Sequence, residues 1–93
     1  MKKVNFDQPF VDFDGNPIEE KGKPVFIKNL IANKIGSASE PDFEKALHRF
    51  ELAKKIVKSD GEIELSSEEV NFIRENLSGL NILAAGQILE ILC

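Results

Sequence analysis

The apolar spacing between Phe43 and Val57 constrains the fold more than any other stretch of this chain. Phe43, Ala46, Leu47, Phe50, Ala53 and Val57 recur at three- and four-residue steps, so a helix carries them as one apolar stripe. Ser39 reads as the N-cap, with Asp42 three residues on as a shorter-armed form of the capping-box acid. Pro41 falls in the first turn, where a missing N–H costs nothing. Acids (Glu40, Asp42, Glu44) precede bases (Lys54, Lys55, Lys58), the order that the helix dipole favours, and Asp60-Gly61 stops the helix.

Shorter elements are read around this helix. Residues 1–23 are turn-rich and partly extended: Phe10 to Phe13, the turn Asp14-Gly15-Asn16-Pro17 and Ile18 predict a short hairpin, and Glu19 to Lys23 a second, charged turn ending at Gly22. Pro24 opens a helix to Ile35, where Val25, Phe26, Ile27, Leu30, Ile31 and Ile35 cover a broad arc suited to packing on two sides. Gly36 is its C′ residue, followed by a Ser37-Ala38 link. Beyond the long helix, Ile63 and Leu65 alternate with acids as a short strand, whose natural partner is the hairpin near residues 10–18. Ser66 and Glu69 form a capping box for a helix to about Leu77, with Val70, Ile73 and Leu77 inward and Phe72 beside them. Ser78-Gly79 ends it, and Asn81 caps a last helix from Ile82 to Leu92. The expected fold is α+β and predominantly helical: about four helices, a small N-terminal β-hairpin and a short strand near 62–65. It forms a single domain over residues 1–93, with 1–23 as the turn-rich β start and 24–92 as the helical part.

Charge and composition narrow the function classes. The net charge of −4 is uneven: residues 1–39 carry six bases and five acids, residues 40–93 six bases and eleven acids. Only Arg49 and Arg74 offer bidentate phosphate contacts, so the basic footprint of a nucleic-acid binder is missing. Cys93 is the single cysteine, which excludes an internal disulfide and a multi-cysteine metal site. The start, Met1 to Phe10, has no apolar h-region, so no signal peptide is expected, and no run reaches the length of a membrane span. A cytoplasmic setting is the resulting expectation.

Chemistry-bearing motifs fail on inspection. Asp60-Gly61 resembles the middle of a calcium loop, but that register puts Ile56 and Lys58 at the first and third ligand positions and Ser67 at the twelfth. The same register at Asp14-Gly15 begins on Phe10, so both sites read as turns. Glu62, Glu64, Glu68 and Glu69 read as a solvated edge and a helix start. His48 lies on the polar side of its helix, one turn after Glu44, with no nucleophile or second ligand beside it. No catalytic, cofactor-binding or metal-ligating residues are expected, and no small-molecule ligand is inferred.

The last helix carries the functional expectation. Ile82, Ala84, Ala85, Ile88, Leu89, Ile91 and Leu92 fill about half its circumference. Either it is the buried centre of the bundle, or it buries one flank and offers the other to a partner. On the second reading, Ile82, Ile88, Leu89, Ile91 and Leu92 form the candidate interface of a non-enzymatic protein that binds another protein or self-assembles into a homo-oligomer. The alternative is a small nucleic-acid-associated regulator. It has Glu68-Glu69 at the start of its would-be recognition helix against it.

The order of motifs also carries a resemblance. Asp14-Gly15 in the turn-rich start, Glu64-Leu65-Ser66 with Glu69 after a long helix, and Gly86-Gln87 near the end resemble small uncharacterised proteins of tailed-phage and prophage genomes. The resemblance implies a phage-type origin. It carries no activity, so it assigns no functional residue.

Overall fold

The computed structural model describes residues 1–37 and 39–93; Ala38, half of the expected Ser37-Ala38 link, lies outside the described residues. The elements run β1 (Lys2–Asn5), β2 (Glu19–Glu20), β3 (Lys23–Pro24), α1 (Ile27–Gly36), α2 (Phe43–Val57), β4 (Glu62–Leu65), α3 (Ser67–Glu75) and α4 (Ile82–Leu92). Among the described residues this is an α+β, helix-rich fold: four helices and two antiparallel two-stranded sheets.

The strand at β4 forms where Ile63 and Leu65 alternate with acids, but its partner is β1 rather than the segment near 10–18. The register sets Val4 opposite Ile63 and Lys3 opposite Glu64, so one face pairs two apolar residues and the other two opposite charges. The 10–18 segment has its backbone committed elsewhere. Ile18 N–H donates to Phe10 O at 2.8 Å, Phe10 N–H to Val25 O at 2.7 Å, and Val25 N–H to Ile18 O at 3.0 Å. The Asp12 carboxylate closes the turn by accepting from the Asp14 and Asn16 N–H groups at 2.9 and 3.0 Å. The second, charged turn is a minimal β2–β3 hairpin. Its tip residues Lys21 and Gly22 both have positive φ, 54° and 79°, as a two-residue turn of this hand requires.

Two helix starts differ from expectation. Pro24 pairs with Glu19 in the hairpin, so α1 begins at Ile27, after Phe26 and without a side-chain cap. In α2 the N-cap is Asp42 instead of Ser39, accepting from the Glu44 and Lys45 N–H groups at 2.9 and 3.2 Å. A full negative charge at the positive end of the dipole favours the aspartate over the more distant serine. The other two caps match their sequence signals. Glu69 N–H donates to Ser66 Oγ at 3.1 Å and Ser66 N–H to Glu69 Oε1 at 2.8 Å. Asn81 accepts from Ala84 N–H at 2.8 Å.

The core gathers Val4, Phe6 and Phe10 with Ile27, Ile31 and Ile35 of α1, Leu65, Ile73, Leu77, and Ala84, Ile88 and Leu92 of α4. From α2 it takes Leu52 and Ile56, with Ala53 packed against them at its edge. Yet α1 and α2 form the most extensively packed helix pair. The helix that the sequence marks most clearly therefore gives the core its less conspicuous side.

Candidate interaction surface

The regular stripe of α2 faces out. Phe43 is 84% exposed, Phe50 61%, Leu47 51% and Val57 44%. An amphipathic helix ordinarily turns such a stripe inward. Here the apolar arc of α2 is wider than one neighbour can cover, running from Leu52 and Ile56 past Ala53 and Ala46 to Val57, Phe50, Phe43 and Leu47. At about 100° per residue it spans well over half the circumference.

Arg49 sets which part of the arc is buried. Its Nη1 donates to the Ile35 carbonyl at the end of α1 at 3.2 Å, and its Nε meets Glu40 Oε1 at 3.3 Å. The guanidinium also lies 5.1 Å from the centre of the Phe72 ring on α3. Arg49 sits between Leu52, Ala53 and Ile56 on the helical wheel, so these bonds fix the roll of α2 with those residues inward. Phe43, Leu47, Phe50 and Val57 are left about a third of a turn away, in solvent.

The outward residues fall in a regular seam. Phe43, Leu47, Phe50, Lys54 and Val57 alternate steps of four and three, the average 3.5-residue spacing of a helix-pairing seam, with Lys54 as its one polar position. Lys54 Nζ is 5.7 Å from the centre of the Phe50 ring, so the lysine stem covers part of that ring while its charge stays in water. Glu44, Glu51 and Lys58 border the seam on one side, Ala46 and Ala53 on the other.

A concavity of about 910 Å³ opens between α2 and α3 and includes His48, Glu51, Lys55, Glu68, Glu69 and Phe72 in its walls. His48 is exposed there, on the polar side of the helix as the spacing predicts. Burial alone would raise the Glu69 carboxyl. The Ser66 backbone and hydroxyl bonds and Lys55, 3.3 Å away, outweigh it and hold the group below its ordinary value. That carboxylate is thus committed to the α3 capping box. Among the described residues, no group of three His, Cys, Asp or Glu side chains is placed to hold a metal ion.

The residues expected to form the interface on α4 divide. Ile88 and Leu92 are fully buried core residues, and Ile91 is half-buried. Ile82, 85% exposed, and Leu89, 39% exposed, stay on the outer face two turns apart. The roll of α4 is set by Gln87, which clasps the backbone of the N-terminal segment. Its Nε2 donates to Val11 O at 2.7 Å and its Oε1 accepts from Val11 N–H at 3.1 Å.

Sequence reasoning missed Phe43, Leu47, Phe50 and Val57 as surface residues. The available signal was Lys54, which lies within the same stripe and fits a wet seam better than a core. The motifs behind the phage-type resemblance have structural duties here: a turn at Asp14-Gly15, a cap at Ser66 and Glu69, and the Val11 clasp at Gln87. Among the described residues no helix is long and apolar enough to cross a membrane. No protein family, curated protein or solved structure matches the chain.

Proposed function

We propose that this chain is a non-enzymatic, cytoplasmic protein-interaction or self-assembling module of phage or prophage type. Its docking surface is the outward seam of α2, with Ile82 and Leu89 of α4 as a smaller apolar site. One observation carries the reading: four large apolar side chains line up along one helix face and are 44–84% exposed. Aligned apolar surface of this kind marks interaction sites more often than it serves a lone monomer. Aromatic residues among them suit the centre of an interface.

The test is Phe50→Lys. The variant keeps its helical circular-dichroism spectrum and cooperative melt while losing whatever association the unmodified chain makes. A collapse of helicity would make Phe50 a core residue and remove the reading.

A further inference from the structure

We infer that the occupant of the α2 seam is α2 of a second copy of this chain, packed antiparallel about a two-fold axis. The inference rests on the docking reading above and adds the partner, the orientation and the register.

Charge selects the partner and the orientation. Of the charges on α2, Glu44 borders the seam at its start, Glu51 at its middle, and Lys54 and Lys58 stand toward its end, while Asp42 is held as the N-cap and Lys55 by Glu69. An antiparallel copy sets the acidic end of each helix against the basic end of the other and opposes the two helix dipoles. A parallel copy sets Lys54 against Lys54 in the seam and leaves Glu44 and Lys58 facing the alanine flank with no opposite charge. Self-complementarity of this kind is what a two-fold interface requires, because the same patch serves both sides.

The seam then selects the register. Two antiparallel alignments bring its positions into layers. One pairs Leu47 with Phe50 of the second copy and forces Glu44 toward Glu51. The other layers Leu47 on Val57 and Phe50 on Lys54 of the second copy, and brings Glu44 to Lys58. The second alignment replaces the two Glu44–Glu51 contacts with two Glu44–Lys58 pairs and a single Glu51–Glu51 contact on the two-fold axis. Lys54 meets an aromatic ring in either alignment, and in the second it meets Phe50, extending the Lys54–Phe50 contact already present within one chain. A single lysine in an apolar seam is a known way to fix register at some cost in affinity. Both helices are preformed on their α1 supports, so little ordering is needed on pairing.

The experiment uses the full chain with Cys93→Ser as background. Glu44→Cys and Lys58→Cys variants are treated with a short bis-maleimide, separately and mixed. The inference expects dimeric product in the mixture and little in either variant alone. Efficient cross-linking of each variant alone, unchanged by mixing, would mean parallel packing and overturn it.

Alkylation of Leu47→Cys separates the remaining outcomes. The inference expects slow reaction, accelerated roughly tenfold or more when Phe50→Lys is added. Fast reaction without any cross-linking would mean an open seam and no second copy, overturning the inference while leaving the docking reading intact. Slow reaction without cross-linking, unchanged by Phe50→Lys, would mean the chain covers its own seam, and both would fall.

Discussion

Helices α2 and α4 each carry eight apolar residues, α2 in fifteen positions and α4 in eleven. By density alone α4 is the helix to suspect of surplus apolar surface. The structure distributes them the other way: α4 puts Ala84, Ile88 and Leu92 into the core, while α2 leaves Phe43, Leu47, Phe50 and Val57 outside. The difference lies in what fixes each helix's roll. Gln87 ties α4 to Val11, and Arg49 ties α2 to the end of α1, to Glu40 and to Phe72. Where an apolar arc is wider than its neighbours can cover, one polar side chain decides which part of it meets water.

This contrast can be broken most forcefully at its core side. Ile88→Ala should cost about 2–5 kcal/mol of unfolding free energy, read by urea denaturation, because it leaves a cavity under a fully buried side chain. A loss below about 0.5 kcal/mol would place Ile88 on the surface and invert the comparison.

Arg49→Met should cost about 1–3 kcal/mol, since the Ile35 carbonyl and the Glu40 carboxylate lose their partner. It should also free the roll of α2. Amide hydrogen exchange should then quicken along Phe43–Val57 more than along Ile82–Leu92.

The capping box should register next, with Ser66→Ala costing about 1 kcal/mol. Its acid adds a pH dependence. The Glu69 pKa is lowered by folding, so its contribution is complete above the ordinary value of the unfolded chain and is lost as pH falls through the lower folded value. The stability advantage of the native chain over Glu69→Gln should therefore be present at neutral pH and vanish in acid. An advantage that grows on acidification would contradict the assignment.

The smallest effect belongs to the outward seam. At concentrations where the chain is monomeric, Phe50→Gln should shift unfolding by no more than about 0.5 kcal/mol. A loss comparable to that of Ile88→Ala would make α2 and α4 equivalent.

Much of this architecture was legible from residue chemistry alone. Asn81, the Ser66–Glu69 box and the alternation at Ile63 and Leu65 are local signals, and each produced the element it specifies. What local chemistry does not carry is long-range choice. The partner of β4 depends on Val4 and Lys3, some sixty positions away in sequence, and their match shows only once the chain is folded. The start of α1 moved because Pro24 was taken by a hairpin. The outward seam of α2 was visible as a stripe, but its direction depends on Arg49 reaching two other elements. Helical periodicity gives the faces of a helix without giving its roll.

Light scattering on the eluting protein tests the central claim most directly. The native chain should run at about twice its 10.4 kDa chain mass, and Phe50→Lys at 10.4 kDa with its helical spectrum intact. A native chain that stays at 10.4 kDa at every concentration, or a Phe50→Lys variant that remains a dimer, would contradict the account.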